Sequence, residues 1–416
     1  MTKEFDAIVL GAGIVGVSTA LHLQARDRSV ALVDRRAPGS ETSHGNAGLI
    51  ERASVIPYAF PRDIATLIAY ASNRSVAVRY RSAYLAGHLP WLIQYWWHST
   101  GRRLSLAAHK MLPLIERCIS EHERFVGAAG IASLFRHQGW IEIYRSRRTF
   151  DRACRSAGDL AEYSLAFDIL DEPELKRREP ALRGDLAGAV HWLDPMVTSD
   201  PGGVTRAYAD LFAARGGQIL LGDADTLRQD GRGWTVGNRG SECGARDIVV
   251  ALGPWSADLC CRLGYRAPVA YKRGYHMHYE VQGEATINHP LCDSEAGFVI
   301  GPMARGIRLT TGIELADRDA LSDARQVAQA ERIARRVFPF GVALDTTPWR
   351  GARTCLPDMR PIIGRAPRHD GLWLAFGHAH HGFTLGPVTG RLLAELMTGG
   401  EPFTDPLPFA PSRYLA

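Results

Sequence analysis

The chain reads as an α/β protein, with a Rossmann-like dinucleotide-binding domain joined to a second, α+β domain built on an antiparallel sheet. Three observations predict this. The first 34 residues run strand, glycine turn, helix, strand. A later apolar run, DIVVALG at 247–253, closes on a glycine as a second βαβ-like return to the same sheet would. Between about 268 and 315, VAYKRGYHMHYEV, GFVIGPM and GIRLTTGIEL alternate as antiparallel strands do.

In chain order, FDAIVL (5–10) is a short buried strand and GAGIVG the turn. Val15, Ala20, Leu21 and Leu23 give the helix its apolar side, and Val30 to Val33 the second strand. From about 60 to 135 the apolar spacing is helical, with Pro90 and Pro113 marking starts or kinks. GWIEIYRS (139–146) reads as a strand, and FDRACRSAGDLAEYSLAF and EPELKRREPAL read as charged amphipathic helices. A Pro/Gly/Asp loop then precedes a helix ended by Gly216 and Gly217. After QILLG, GWTVGN and the later alternating strands, 316–338 reads as a helix rich in Ala, Arg and Gln. The last segment, WLAFGHAHHGFTLGPVTGRLLAELMTGG, is a strand, a glycine loop and a helix, with Pro387 at the first helical position.

Composition bounds the function. At 416 residues, 46 % hydrophobic and 22 % charged, the chain is globular and long enough for two domains. A formal net charge of +5 spread over scattered arginines argues against a dedicated nucleic-acid binder. Seven cysteines without a CxxC pair fit a reduced, cytoplasmic setting better than a disulfide framework. The N-terminus has no signal-peptide pattern, and no apolar run is long enough to span a membrane. LPWLIQYWWH (89–98) is expected to pack on the core by one aromatic face. The weaker expectation is peripheral contact with the inner face of the cytoplasmic membrane, anchored with Arg102 and Arg103.

The chemistry begins at Gly11-x-Gly13-x-x-Gly16. These glycines allow a tight turn, close approach of a pyrophosphate and close helix packing, while the helix start at Ile14 and Val15 offers amides to phosphate. Asp34 ends the second strand at the distance expected of a ribose acceptor. NAD and FAD both satisfy this motif. Just beyond, Arg35 opens RRAPGSETSHGNAG, whose hydroxyls and small residues suit the wall of a long cofactor.

With ETSHGNAG the chain resembles the D-amino-acid oxidase-like family of FAD-dependent oxidoreductases, and within it is most similar to the bacterial D-amino-acid dehydrogenases. The match continues in order through TSDPGGVTRAYADLFAARGG, ADTL (224–227), ALGPWS (251–256), KRGYH (272–276), GARTCLPDMRPIIG (351–364) and FGHAHHGFTLGPVTGR (376–391). The resemblance implies a glutathione-reductase-like FAD domain made of 1–60, 185–262 and 346–416, and a substrate domain made of 61–184 and 263–345. It implies FAD, held non-covalently, along Thr42, Ser43, Asn46, Ala47 and Gly48. Ala224 would meet the adenine, and Ala251 and Gly253 would pass close to the cofactor. Gly382, Thr384 and Leu385 would face the flavin from a helix start, whose amides suit charge on the reduced ring.

The resemblance also places Arg353 where the family grips a substrate carboxylate, a task for which a planar, bidentate guanidinium is suited. Phe298 stands where some relatives carry an assisting tyrosine, so Tyr275 or His276 is a candidate replacement, and His380 and His381 are candidates to face substrate or flavin. The implied reaction is oxidative deamination of a D-amino acid: hydride passes from Cα to flavin N5, giving a 2-imino and then a 2-oxo acid with ammonia. Alternatives are oxidation of secondary or cyclic amino acids (D-proline-like, sarcosine, opines) and a flavin-carrying subunit of a larger complex. The acceptor, whether quinone, electron-transfer protein or O2, is left open. A zinc site at His378, His380 and His381 is disfavoured, because neighbouring histidines do not readily converge at tetrahedral angles. No metal is expected, and Cys355 reads as a core thiol rather than a flavin attachment.

Overall fold

FDAIVL lies within a strand, Lys3–Leu10, of the computed structural model, which describes residues 3–231, 233–238 and 240–415. Its pleat splits the core. Ala7 and Val9 point to the side packed by the helices Ile14–Gln24 and Gly382–Met397, and Ile8 and Leu10 to the opposite cluster around Trp234 and Tyr265. A strand covered on both faces needs apolar residues at every position, which is why this run does not alternate.

Gln218–Leu221, Val30–Asp34, Lys3–Leu10 and Ser241–Val250 lie side by side in parallel, and Leu372–Phe376 extends the parallel set beyond Val250. Gly233–Asn238, Asp223–Asp230 and Ile362–Arg365 complete an eight-stranded mixed sheet through antiparallel pairings. The return of DIVVALG to the first sheet is therefore present, in register from Ala245 opposite Phe5 to Val250 opposite Leu10.

The second sheet has eleven strands and is mostly antiparallel, with Ala270–Val281 at its centre. That strand pairs with Gly306–Thr311, Ile313–Leu315, Phe340–Ala343 and Trp349–Cys355. Two pairings are parallel: Val78–Tyr80 with Ile313–Leu315, and Leu291–Asp293 with Trp140–Tyr144. The expected division of the chain cuts this sheet. Gly188–Trp192 and Trp349–Cys355, both assigned by sequence to the cofactor unit, hydrogen-bond into the second sheet. A three-stranded ribbon of Leu49–Ile50, Met196–Thr198 and Phe135–Arg136 lies apart from both.

Three helices differ from expectation. The one expected over 150–167 ends at Asp159, and Phe167 opens a strand that pairs with Gly188–Trp192. The segment 316–338 is helical only over Arg325–Ala334, because buried Arg273 bonds the carbonyls of Asp317, Ala320 and Leu321 and holds the preceding chain as a loop. The last helix starts at Gly382, not Pro387, so the proline sits inside it. Proline lacks the N–H that would bond the carbonyl four residues back. That carbonyl, on Phe383, is instead paired with Nε2 of buried His122 at 3.0 Å.

Candidate active site

One cavity of about 1450 Å³ runs from the glycine turn to the centre of the second sheet. Its first end is walled by Gly11, Gly13, Ile14, Val15, Asp34 and Arg35. Gly11 has φ +107°, and a Cβ there would stand 2.4 Å from the Ala251 carbonyl oxygen, so no side chain fits. Gly13 caps the helix without any side-chain bond, and the Ile14 amide donates to Ser43 Oγ at 3.0 Å. Asp34 accepts from the amides of Ala12 (2.7 Å) and Arg36 (2.9 Å), which fixes the carboxylate at the cavity edge with lone pairs to spare. Arg35 stacks on Trp255 at 4.3 Å, and Ala224, Ala251 and Gly253 complete this end. Thr42, Ser43, Asn46 and Ala47 carry the wall onward. Asn46 closes the turn through its side-chain oxygen, which accepts from Gly48 N at 2.8 Å. A helix start capped by a glycine with no side chain of its own, an edge acid and a glycine floor that admits no Cβ are what a dinucleotide requires, so these residues fit FAD.

Four of the expected cofactor residues do not line the cavity. Gly16 packs against the Gly11 carbonyl, and Gly48 against that of Thr198. Thr384 is spent on structure, since its hydroxyl accepts from Glu51 N at 3.1 Å and donates to Leu49 O, and Leu385 is wholly buried in the core behind it. Gly382 and Phe383 form the wall there.

At the other end Arg353 and Lys272 are directly opposite each other on neighbouring strands, so both side chains leave the same face of the sheet. The Arg353 guanidinium lies over Gly274, where a Cβ would come within 2.7 Å of Nη1. Burial lowers its pKa from the ordinary value, and Nη1 has no hydrogen-bond partner. Burial also opposes the charge of Lys272, yet nearby Tyr95 and Cys355 leave its pKa above the usual value; its ammonium donates to Tyr95 Oη at 2.8 Å. Among the described residues neither cation forms an ion pair. Two uncompensated cations in a cavity call for an anion.

The three histidines go three ways. His378 Nε2 pairs with Thr389 Oγ1 at 3.0 Å, His380 rests against the Tyr58 ring at 4.8 Å, and buried His381 has an unpartnered Nδ1. No group of three potential metal ligands occurs among the described residues. Burial pushes His378 down to about 3 and His381 to about 4; burial and then Arg353 hold His380 well below the usual range. All three rings are neutral at ordinary pH, able to donate or accept but poor at holding a proton.

Tyr275 lines the cavity, but its hydroxyl is engaged elsewhere. That group donates to Glu314 Oε2 at 2.5 Å and accepts from Arg273 and from the Asp323 amide, closing a buried ionic network on the other face of the strand. His276 does line the cavity, but it stacks on Trp349 (4.7 Å, 13°) and is held down to about 2 by burial and Arg308. The Trp349 indole is itself wedged between two backbones: a Cβ at Gly45 or at Gly351 would fall 1.8 or 2.2 Å from its Cη2. Phe298 is buried and lines the wall. Cys355 is buried, with its thiol pushed up by burial.

Sequence reasoning missed Lys272, although the KRGYH stretch containing it was singled out, along with Tyr58, Glu51, Trp140 and Glu142, which share the substrate-end wall. Lys272 had a signal, since a lysine inside an apolar strand run such as VAYKRGYHMHYEV is unusual. The others had none, as their loops and strands meet only in the fold.

A two-sheet fold with a glycine-floored cofactor groove and a paired-cation pocket at its far end defines a flavin-dependent oxidoreductase. Residues 6–396 match the DAO family, FAD-dependent oxidoreductases, and the chain belongs to that family. It is 29 % identical to a D-amino-acid oxidase of Bradyrhizobium diazoefficiens, with all of both chains covered. It is also 29 % identical to a D-amino acid dehydrogenase of Chromohalobacter salexigens, covering 99 % of this chain and 100 % of that one. Glycine oxidase from Geobacillus kaustophilus superposes with a TM-score of 0.74 at 22 % identity over 100 % of both chains. L-proline dehydrogenase from P. horikoshii superposes with a TM-score of 0.73 at 16 % identity over 100 % and 98 %. These last two likenesses establish the fold, and FAD is the cofactor of the family.

Proposed function

We propose that this enzyme oxidises D-amino acids at Cα, and that the carboxylate is held by Arg353 with Lys272 beside it. The observation that carries the reading is the pair of uncompensated cations facing one another across two strands at the end of a dinucleotide cavity. When bound, FAD supplies the two-electron acceptor; the imino acid then takes up water and gives a 2-oxo acid and ammonia. The chain's own contribution is placement. Arg353 fixes the carboxylate, buried Phe298 excludes water from the wall, and the rings of Tyr58 and His380 bound the space left for the reacting carbon. The curated relatives named above support the D-amino-acid class.

Anaerobic titration of the purified yellow protein with D- and L-amino acids, D-proline and sarcosine tests this. Bleaching by D-amino acids alone is expected. Bleaching only by D-proline or sarcosine would move the substrate class to secondary amines, and no bleaching by any of them would overturn the reading.

A second reading concerns location. The helix Ile64–Ala71 has no buried residue, and Ile64, Ile68, Leu89, Ile93, Trp96, Trp97 and Leu106 are all exposed. Arg62 and Arg103 stack on Trp96 and Trp97 at 4.3 and 3.8 Å. Inward residues of the same helices, Leu67, Tyr70, Trp91 and Tyr95, line the cavity. Apolar exposure rimmed by arginine favours peripheral contact with an anionic bilayer, beside which a quinone is the natural electron acceptor. No helix among the described residues is long and apolar enough to cross a membrane. Co-flotation with anionic vesicles, lost in Trp96→Ser/Trp97→Ser, is the expected result; equal flotation of both proteins, or of neither, refutes it.

A further inference from the structure

The same cavity has an acidic pole that the oxidation described above does not use. Glu51 directly follows the short strand Leu49–Ile50, and Glu142 sits in the middle of Trp140–Tyr144. Both line the cavity wall with Trp140, which shares a strand face with Glu142 by its two-residue spacing. Glu51 accepts from the Ser54 hydroxyl, and Glu142 accepts from the Ser294 hydroxyl and from Trp192 Nε1 at 3.4 Å. Neither forms an ion pair among the described residues.

A carboxylate inside a cavity, without a counter-charge and with a second carboxylate near it, is costly to keep ionised, and this is the position of Glu51. Burial, and then Glu142, hold Glu51 up at about 7. A second, independent sign is Trp140: it is nine-tenths buried on the same wall, and its indole N–H has no partner. An indole N–H only donates, so it does not touch a cationic group itself but can hold a water that accepts from both the indole and the cation. Tyr58 links the poles, within electrostatic reach of Glu51 on one side and of Arg353 on the other. An occupant gripped by its carboxylate at Arg353 therefore extends past an aromatic ring toward two carboxylates.

We propose that Glu51 and Glu142 form a subsite for the positively charged end of the substrate side chain, so that the enzyme prefers basic amino acids of the lysine, ornithine and arginine class. This rests on the amino-acid reading given above. The competing role for Glu51, removing a proton from the α-ammonium group, would act on every amino acid alike. The subsite acts only on those with a cationic tail.

The test compares D-lysine with D-norleucine, the same chain without the terminal amine, and follows binding of α-methyl-lysine and α-methyl-norleucine, which lack a Cα hydrogen, by calorimetry. The expected kcat/KM ratio in favour of D-lysine is about tenfold to a hundredfold, the value of a charge-assisted bond. In Glu51→Gln and Glu142→Gln that ratio falls toward one. A wild-type ratio of one or less, or a ratio unchanged in both variants, overturns the subsite. Tighter binding of α-methyl-lysine without turnover of any D-amino acid upholds the subsite and refutes the oxidation. Equal binding of the two α-methyl compounds refutes the subsite whatever the turnover.

Discussion

The two ends of the cavity are built by different means. The nucleotide end is mostly backbone: a glycine turn, a helix start and one acid come from the first 34 residues, and Ala224, Ala251 and Gly253 close it. The substrate end is mostly side chain: Arg353, Lys272, Tyr58, Glu51, Glu142 and His380 arrive from strands and loops spread from residue 51 to residue 380. A backbone site is intolerant of any added atom. A side-chain site tolerates exchange and changes its selectivity instead.

The largest effect is therefore expected at the nucleotide end. Gly11→Ala places a Cβ against the Ala251 carbonyl in a φ that costs an L-residue about 1–2 kcal/mol before the overlap is counted. The purified variant should carry little or no flavin by absorbance; full flavin content would show that this turn is not the cofactor's floor. At the substrate end, Arg353→Lys keeps the charge but loses the planar fork. Flavin content should be preserved while kcat/KM for D-amino acids drops by at least about thirtyfold, or roughly 2 kcal/mol. An unaltered kcat/KM would detach the carboxylate from Arg353.

Smaller effects sharpen the boundary of the substrate site. Tyr275→Phe removes a hydroxyl from the Glu314 network, so thermal unfolding should report a loss of about 1–3 kcal/mol, with kcat/KM near wild type. A selective rise in KM would return this tyrosine to the substrate. The smallest expected signal is in pH. Burial pushes His276 down to about 2 and His381 to about 4, so neither contributes an inflection between pH 5 and 8, and burial and then Arg353 hold His380 well below the ordinary range. Glu51, raised to about 7 by burial and Glu142, loses its proton as the pH climbs through that value. KM for a cationic substrate should therefore fall on going from pH 6 to pH 8, and KM for D-norleucine should not follow it.

The same contrast explains what could be read from the residues alone. GAGIVG and Asp34 were legible because the strand, turn and helix that make the groove are contiguous, and apolar spacing reports contiguous structure directly. Arg353 was legible only through family likeness, since its neighbour Lys272 is 81 residues away in sequence and directly opposite in register. Tyr275 and His276 both line the cavity, and which of their polar groups is already engaged was not legible, because the partner of the Tyr275 hydroxyl, Glu314, lies 39 residues on in sequence and meets it only in the fold. The start of the last helix was placed at Pro387 on a sound local preference. A tertiary bond from His122 overrode it by satisfying the Phe383 carbonyl.

Trp349 has a consequence of another kind. One aromatic plate fills the gap between the loop that carries Asn46 and the strand that carries Arg353, touching a side-chain-free backbone on each side. It works as a shim. The loop that lines the cofactor groove, the strand that carries Arg353 and, through His276, the strand that carries Lys272 all rest on this one indole, so a smaller residue there would loosen the grip on both reactants together.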